Sequence, residues 1–288
     1  MVMNDSTIRP PTEPAGTLLS GGPARTALPR IIAVTSGKRG VGKTNLVVNV
    51  AIELAMRRRV VTILNADNNG AGADEILGIS CNYHLGQAIR GQCQVSELVT
   101  KGMYDIGFVT GGKGLPELTR EHDQLINDLQ LMVNESDFVI VDTPSGVSNS
   151  LKILCAASEV VIVTTPDTTD IVDSYAIVKS LHSHAPTKPI WIVVNNAVSI
   201  RDADEVVSQL NTISMRFLKH KIECLGAIPQ DTHIAKAISM QRPIVEYAPD
   251  RPSSRSFRVI AKYFLDSNTA PSTNPAGTFW RTLVEMEL

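Results

Sequence analysis

The sequence predicts an α/β protein built on a doubly wound, mostly parallel sheet with helices on both faces. Three observations carry this reading. The run Gly37-Lys38-Arg39-Gly40-Val41-Gly42-Lys43-Thr44 satisfies G-x-x-x-x-G-K-[ST], a phosphate-cradling loop, without a gap. Short apolar strands alternate with segments of helical periodicity along most of the chain. One of those strands closes on an acid, Asp142, at the edge of the sheet where ligands of such folds sit.

Each element can be justified in turn. Arg30-Ile31-Ile32-Ala33-Val34-Thr35 is short, apolar and β-branched, which predicts a buried strand. Behind the glycine loop, Leu46, Val47, Val50, Ala51, Leu54 and Ala55 recur at helical spacing, predicting a helix over 45–58. Arg57-Arg58-Arg59 closes it and suits the negative end of its dipole on a solvated face. A second strand, 60–64, ends at Asn65-Ala66-Asp67. Short helices are predicted over 83–89 and 95–100, and a strand over 105–110. That strand runs into Gly111-Gly112-Lys113-Gly114, which has no helix start directly behind it and reads as a simple turn. A helix over 123–134 precedes the strand Phe138-Val139-Ile140-Val141. Strands follow over 159–164, 190–194 and 223–228, with helices over 169–184, 203–219, 234–240 and 254–265. Fully apolar strands separated by helices imply a parallel sheet covered on both sides. The loop after Thr35, the turn after Leu64 and Asp142 should then share one crevice.

Composition narrows the class. The chain has 288 residues, with 27 Lys+Arg against 29 Asp+Glu, a formal net charge of -2. That balance makes no bulk electrostatic case for nucleic acid. Cys81, Cys93, Cys155 and Cys224 form no C-x-x-C pair, so neither a zinc site nor a redox motif is indicated; reduced cysteines in a cytoplasmic protein are expected. Residues 1–28 read as a disordered leader, 29–265 as the folded domain and 266–277 as a linker. Residues 278–288 then place Phe279, Trp280, Leu283 and Val284 on one side of a short helix. Such a segment suits the cytoplasmic face of a membrane, but Glu285 and Glu287 outweigh Arg281 against an anionic leaflet. A packing or partner-binding tail is the other reading of the same pattern.

The loop's chemistry follows from its residue types. Glycines let the backbone turn tightly and aim successive N–H groups inward as an anion nest, and the new helix adds its positive end. Lys43 brings a point charge to the outer phosphates, and the Thr44 hydroxyl suits Mg2+. Asp142 suits a second metal contact, although an aspartate there also serves as an ordinary helix cap. Asp67 is placed to orient a water for attack, or to form the turn.

A lysine, Lys38, directly follows the first glycine. With Leu64-Asn65-Ala66-Asp67, Val141-Asp142-Thr143-Pro144-Ser145-Gly146, Val193-Val194-Asn195 and Gly226-Ala227-Ile228-Pro229-Gln230-Asp231, the chain resembles the MinD/ParA family of deviant Walker A P-loop ATPases over residues 30–265. The run from Val163 to Ala176, and Ser254-Arg255-Ser256-Phe257, are most similar to the FlhG/FleN (YlxH) branch of flagellar-number regulators. The resemblance implies a three-layer P-loop NTPase that binds ATP and Mg2+ and dimerises around nucleotide. It implies that Lys43 and the loop amides bind the β- and γ-phosphates. Thr44 coordinates Mg2+, with Asp142 supporting it through water, and Asp67 positions the hydrolytic water. Lys38 would reach across a homodimer to the partner's phosphates. The implied nucleotide contacts are Gly37, Lys38, Arg39, Gly40, Val41, Gly42, Lys43, Thr44 and Asn45, with Asn195, Pro229 and Asp231 around the base. The implied role is a switch ATPase regulating flagellar placement or number, with a flagellar GTPase or a transcription regulator as partner. Division-site or cargo positioning, and a nucleotide-binding module of very slow turnover, are the alternatives. The leader lacks the D-Q-A-x-x-L-R segment with which FlhG proteins stimulate a partner GTPase. Four positions depart from the family: Arg39 stands where glycine is usual, Asn65 replaces the first aspartate of the switch, and Asn68-Asn69 replace an apolar-glycine pair.

Overall fold

A computed structural model describes residues 28–67, 72–267 and 278–286. The leader (but for Leu28), Asn68-Asn69 and nearly all of the linker lie outside the described residues. In chain order the elements are β1 (Arg30–Thr35), α1 (Lys43–Ala55), β2 (Val61–Asn65), α2 (Ala73–Leu77), α3 (Leu85–Ile89), β3 (Thr100–Lys101), β4 (Gly107–Thr110) and α4 (Asp123–Asn134). Then come β5 (Phe138–Asp142), α5 (Val147–Ala156), β6 (Glu159–Thr164), α6 (Thr168–His184), β7 (Ile190–Ala197), α7 (Ile200–Phe217), β8 (Glu223–Pro229), α8 (Thr232–Ser239), α9 (Ile244–Tyr247), α10 (Pro252–Asp266) and α11 (Phe279–Glu285).

The strands form one sheet in the order β3-β4-β2-β5-β1-β6-β7-β8, parallel except for the short β3–β4 pair at the edge. Alternation along each strand feeds two cores. Ile31 and Ala33 of β1 face the helices α3–α7 and α11, while Ile32 and Val34 face α1, α2 and α8–α10. Burying each such Ile or Leu side chain contributes about 1.5–3 kcal/mol. The order puts β1 between β5 and β6, with β2 beside β5. The carboxyl ends of β1, β2 and β5 therefore converge, as the crevice argument requires.

Several local expectations need correction. The short helix expected over 95–100 is present only as a 3-10 turn. This turn, Val95–Leu98, is closed by Glu97 Oε2, which accepts from Gln94 N at 2.8 Å, and Thr100 already belongs to β3. The next strand starts at Gly107, because Tyr104 and Asp105 adopt left-handed backbone (φ 54° and 58°) just before it. Residues 112–117 form a further 3-10 turn where a simple turn was read. Helices α2, α5 and α9 were not anticipated; α2 and α9, of 5 and 4 residues, are too short for a helical periodicity to register, whereas α5 is 10 residues long and mostly apolar. The first helix stops at Ala55, and Arg58 takes φ 61°. Arg57 turns back onto buried Glu53, at 2.6 Å, instead of only facing solvent.

The C-terminal segment realises the packing reading. Phe279, Trp280 and Leu283 are buried against α4 and α5. Arg281 Nη1 pairs with Asp123 at 3.3 Å and Nη2 donates to Asn127 Oδ1 at 3.2 Å, while Arg120 donates to the Glu285 carbonyl at 2.8 Å. Among the described residues no helix is long and apolar enough to cross a membrane.

Candidate active site

The loop from Ser36 to Gly42 carries the chain from β1 into α1 across the carboxyl edge of the sheet. Gly40 and Gly42 have φ 81° and 94°, the left-handed region that costs other L-residues about 1–3 kcal/mol. Gly42 also caps α1, its carbonyl accepting from Leu46 N at 3.0 Å, so the helix begins at Lys43. A β-carbon on Gly42 would land on Asn195 Nδ2, and one on Gly37 would land on Asp173. The loop is thus wedged between β7 and α6. Irregular pairing between β7 and β8 after Val194, with Asn196 at φ 58°, accompanies the turn of Asn195 onto the loop, where it donates to the Val41 carbonyl at 2.7 Å.

Lys43 is buried at the mouth of this loop. Its Nζ lies 3.1 Å from Asp142 Oδ1 and 3.5 Å from Asp67 Oδ2, joining the ends of β5 and β2 to the loop after β1. Asp142 is fully buried, and its Oδ2 has no hydrogen-bond partner. Burial pushes its carboxyl above the usual carboxylate range, opposed by Lys43 and a hydrogen bond with Thr44. A buried, half-satisfied carboxylate beside a threonine hydroxyl fits a hard divalent cation, which supplies the missing partner and favours the charged form. Two backbone bonds and one from a side chain fix the surrounding loops: Ala66 N to Asp142 O at 2.8 Å, Gly146 N to Ser36 O at 2.9 Å and the Thr143 hydroxyl to Val34 O at 3.0 Å. Asn65 Oδ1 accepts from Asp67 N at 3.1 Å, holding the acid's backbone.

On the other flank, Gln230 N donates to Ala197 O at 3.0 Å, bringing the Pro229–Asp231 loop beside Asn195. The Asp231 carboxylate is committed to its own loop. It caps α8 through His233 N (3.0 Å) and accepts from Arg251 (3.1 and 3.2 Å) and Ser253 Oγ (2.8 Å). Burial would raise this carboxyl, but those donors outweigh it and hold the group well below the usual range. Lys38 projects to the start of α6, where its Nζ reaches Thr169 Oγ1 at 3.0 Å and Asp170 Oδ1 at 2.7 Å; Arg39 is exposed. Sequence reasoning singled out neither Asp170 nor Asp173 as a site residue. The available signal was the spacing Asp167, Asp170, Asp173, one acid every three residues at a helix start.

A glycine loop between the first strand and helix, a buried lysine in its mouth and an aspartate at the end of a neighbouring strand define a P-loop NTPase. Residues 27–265 match the family described as "ParA: NUBPL iron-transfer P-loop NTPase". The chain is 32% identical over 253 residues to the antiactivator FleN of Pseudomonas aeruginosa, covering 86% of this chain and 90% of that one. It is 26% identical over 239 residues to the flagellum site-determining protein YlxH of Helicobacter pylori, covering 81% and 80%. The septum site-determining protein MinD of Bacillus subtilis is 27% identical over 247 residues, covering 81% and 88%. Among solved structures, the MinD cell division protein of Aquifex aeolicus superposes with a TM-score of 0.68 at 22% identity, covering 83% of this chain and 98% of that one. Pyrococcus horikoshii MinD complexed with Mg-ADP gives 0.65 at 19% identity, covering 85% and 100%. The chain belongs to the ParA/MinD family of P-loop NTPases, whose members bind nucleotide. The four cysteines are all free and sit on separate parts of the chain, and among the described residues no cluster of three or more His, Cys, Asp or Glu is arranged to hold a metal.

Proposed function

We propose that this chain is an ATP-dependent dimerising switch that regulates the placement or number of flagella. The observation that carries the nucleotide part is Lys43, buried at the junction of three strand ends and in reach of both Asp142 and Asp67. Similarity to FleN and YlxH supports the flagellar part. The loop amides and Lys43 hold the triphosphate, which is stabilised by positive charge on its equatorial oxygens. Thr44 and Asp142 would hold Mg2+, and a bound ion supplies charge neutralisation across the phosphate oxygens. Asp67, fixed by Asn65, holds the attacking water, and Asn195 with the Pro229–Asp231 loop borders the base. Lys38 acts on the phosphates of a second copy, which makes turnover conditional on dimerisation.

The test is light scattering after size exclusion, together with phosphate release, in ADP and in ATP with Mg2+. Wild type should be monomeric in ADP, dimeric in ATP and should release phosphate; Lys38→Ala should bind ATP without turnover. A wild type that binds no adenine nucleotide in calorimetry with Mg2+ present overturns the reading. Binding and dimerisation without measurable phosphate release favour the slow module, which Asn65 and Arg39 support. A membrane role for residues 278–288 requires α11 to leave α4 and α5. Co-sedimentation with anionic vesicles in ATP should then be lost in a chain ending at Leu265, and equal pelleting rejects it.

A further inference from the structure

Lys38 is held by its own chain. Its ammonium donates to Thr169 Oγ1 at 3.0 Å and lies 2.7 Å from Asp170 Oδ1 and 3.9 Å from Asp167 Oδ2. These partners are not equivalent. Asp167 is 55% exposed and already serves as the cap of α6, its Oδ1 accepting from Thr169 N at 2.8 Å and Thr169 Oγ1 at 2.7 Å. The Asp170 side chain is 3% exposed and fixed from behind by Thr165 Oγ1, which donates to its Oδ2 at 2.5 Å. Its Oδ1 is buried and meets no donor other than the Lys38 ammonium. If Lys38 leaves, that oxygen becomes a buried acceptor without a donor, an unfavourable state. The arrangement is short and rigid, because Gly37 packs directly on Asp173 in the next turn of the same helix. The hydrogen bond that Lys38 donates to Asp170, with the charges of Asp170, Asp167 and Asp173, raises the affinity of Lys38 for its proton, so it stays an ammonium in this contact.

We propose that Asp170 is a positioning residue that retains Lys38 in cis and thereby opposes its delivery to a second copy of the chain. This rests on the reading of Lys38 as the lysine that acts across a dimer. Formation of the nucleotide-bound dimer must compete with the Asp170 pair, so the pair sets the protein concentration at which the switch closes. An exposed ammonium limits how strong the contact is, and the expected effect is correspondingly modest.

The test compares wild type, Asp170→Asn, Thr169→Val and Asp167→Asn as full chains in ATP with Mg2+, reading the protein concentration at the monomer–dimer midpoint. Asn keeps an acceptor for Thr165 while removing the charge. Asp170→Asn should lower the midpoint by about two- to fivefold and raise turnover at sub-saturating protein, with ADP affinity unchanged. Thr169→Val should shift it in the same direction, and Asp167→Asn much less. In a Lys38→Ala background, Asp170→Asn should have no further effect on the midpoint, a result that a general loosening of α6 would not give. Should Asp170→Asn fail to fold, Thr169→Val on the exposed side of the contact carries the comparison alone. A midpoint equal to wild type in the folded variants overturns the proposal while leaving the trans-lysine reading intact. A Lys38→Ala chain that hydrolyses ATP like wild type removes that reading itself.

Discussion

Lys43 shows how a single residue can be both costly and required. An ammonium buried at a strand junction is tolerable because two carboxylates flank it, and the proposed function gives it anionic phosphates as working partners. Asp142 carries the complementary cost, a buried oxygen without a donor. Functional sites are where such local expense is expected. Arg39 raises the opposite question. It is exposed on the loop at a position the family resemblance gives to glycine, beside the region where the proposed function places attack on the γ-phosphate. On the proposed reading, a side chain of that length would obstruct the approach of water or of a partner subunit. Arg39→Gly is therefore expected to raise steady-state phosphate release several-fold, on the order of 1 kcal/mol in barrier height; an unchanged or slower rate removes the idea. Gly42 needs no such test of necessity, because its left-handed φ and the adjacent Asn195 amide leave no room for a side chain.

At the scale of elements, two helices at the far end of the chain are tied down by different means. The start of α8 depends on Asp231, which combines a helix cap with the Arg251 and Ser253 contacts. Asp231→Ala should destabilise the fold by about 2 kcal/mol, measured by urea unfolding at neutral pH. The sign of its pH dependence is set by the lowered carboxyl. Its contribution is present above the ordinary value of 3.8 and is lost as pH falls through the depressed folded value, so the gap between wild type and variant should close below about pH 4. A gap that persists at low pH would show that Asp231 acts through shape alone. For α11, burial of Trp280 is the anchor. Trp280→Ala should cost about 3–5 kcal/mol, with loss of near-ultraviolet signal. An unchanged melting temperature would mean that the helix spends its time elsewhere in solution. The amphipathic pattern of residues 278–288 was legible, yet pattern alone could not say which surface covers it. Lipid and a groove between α4 and α5 are equally apolar, and only the tertiary contacts of Phe279, Trp280 and Arg281 distinguish them.

For the molecule as a whole, stability rests on two cores separated by one sheet, and charge intrudes on them at few places. Lys188 is one. It is buried, its Nζ donates to the Ala157 carbonyl, and burial pushes its ammonium below the ordinary value of 10.5. The unfolded chain therefore holds this proton more tightly than the fold does, and stability rises with pH between the lowered folded value and 10.5. Compared with Lys188→Met, wild type should gain melting temperature as pH climbs from 8 toward 10.5; a parallel pair of curves would contradict the assignment. The sequence by itself determined the α/β class, the strand–glycine loop–helix unit and the parallel core. These rest on local periodicity and on a motif whose chemistry is contained in eight consecutive residues. Asp142 and Asp67 could be nominated from sequence, because strand ends are visible as breaks in apolar runs. Only the tertiary structure decided that Asp170, remote from Lys38 in sequence, faces it, that Asn195 seats the loop, that Asp231 is consumed by its own cap, and that α11 is covered. Those outcomes depend on which strand ends and helix starts become neighbours. That follows from sheet order and packing between elements remote in sequence, and no local pattern of residues encodes it.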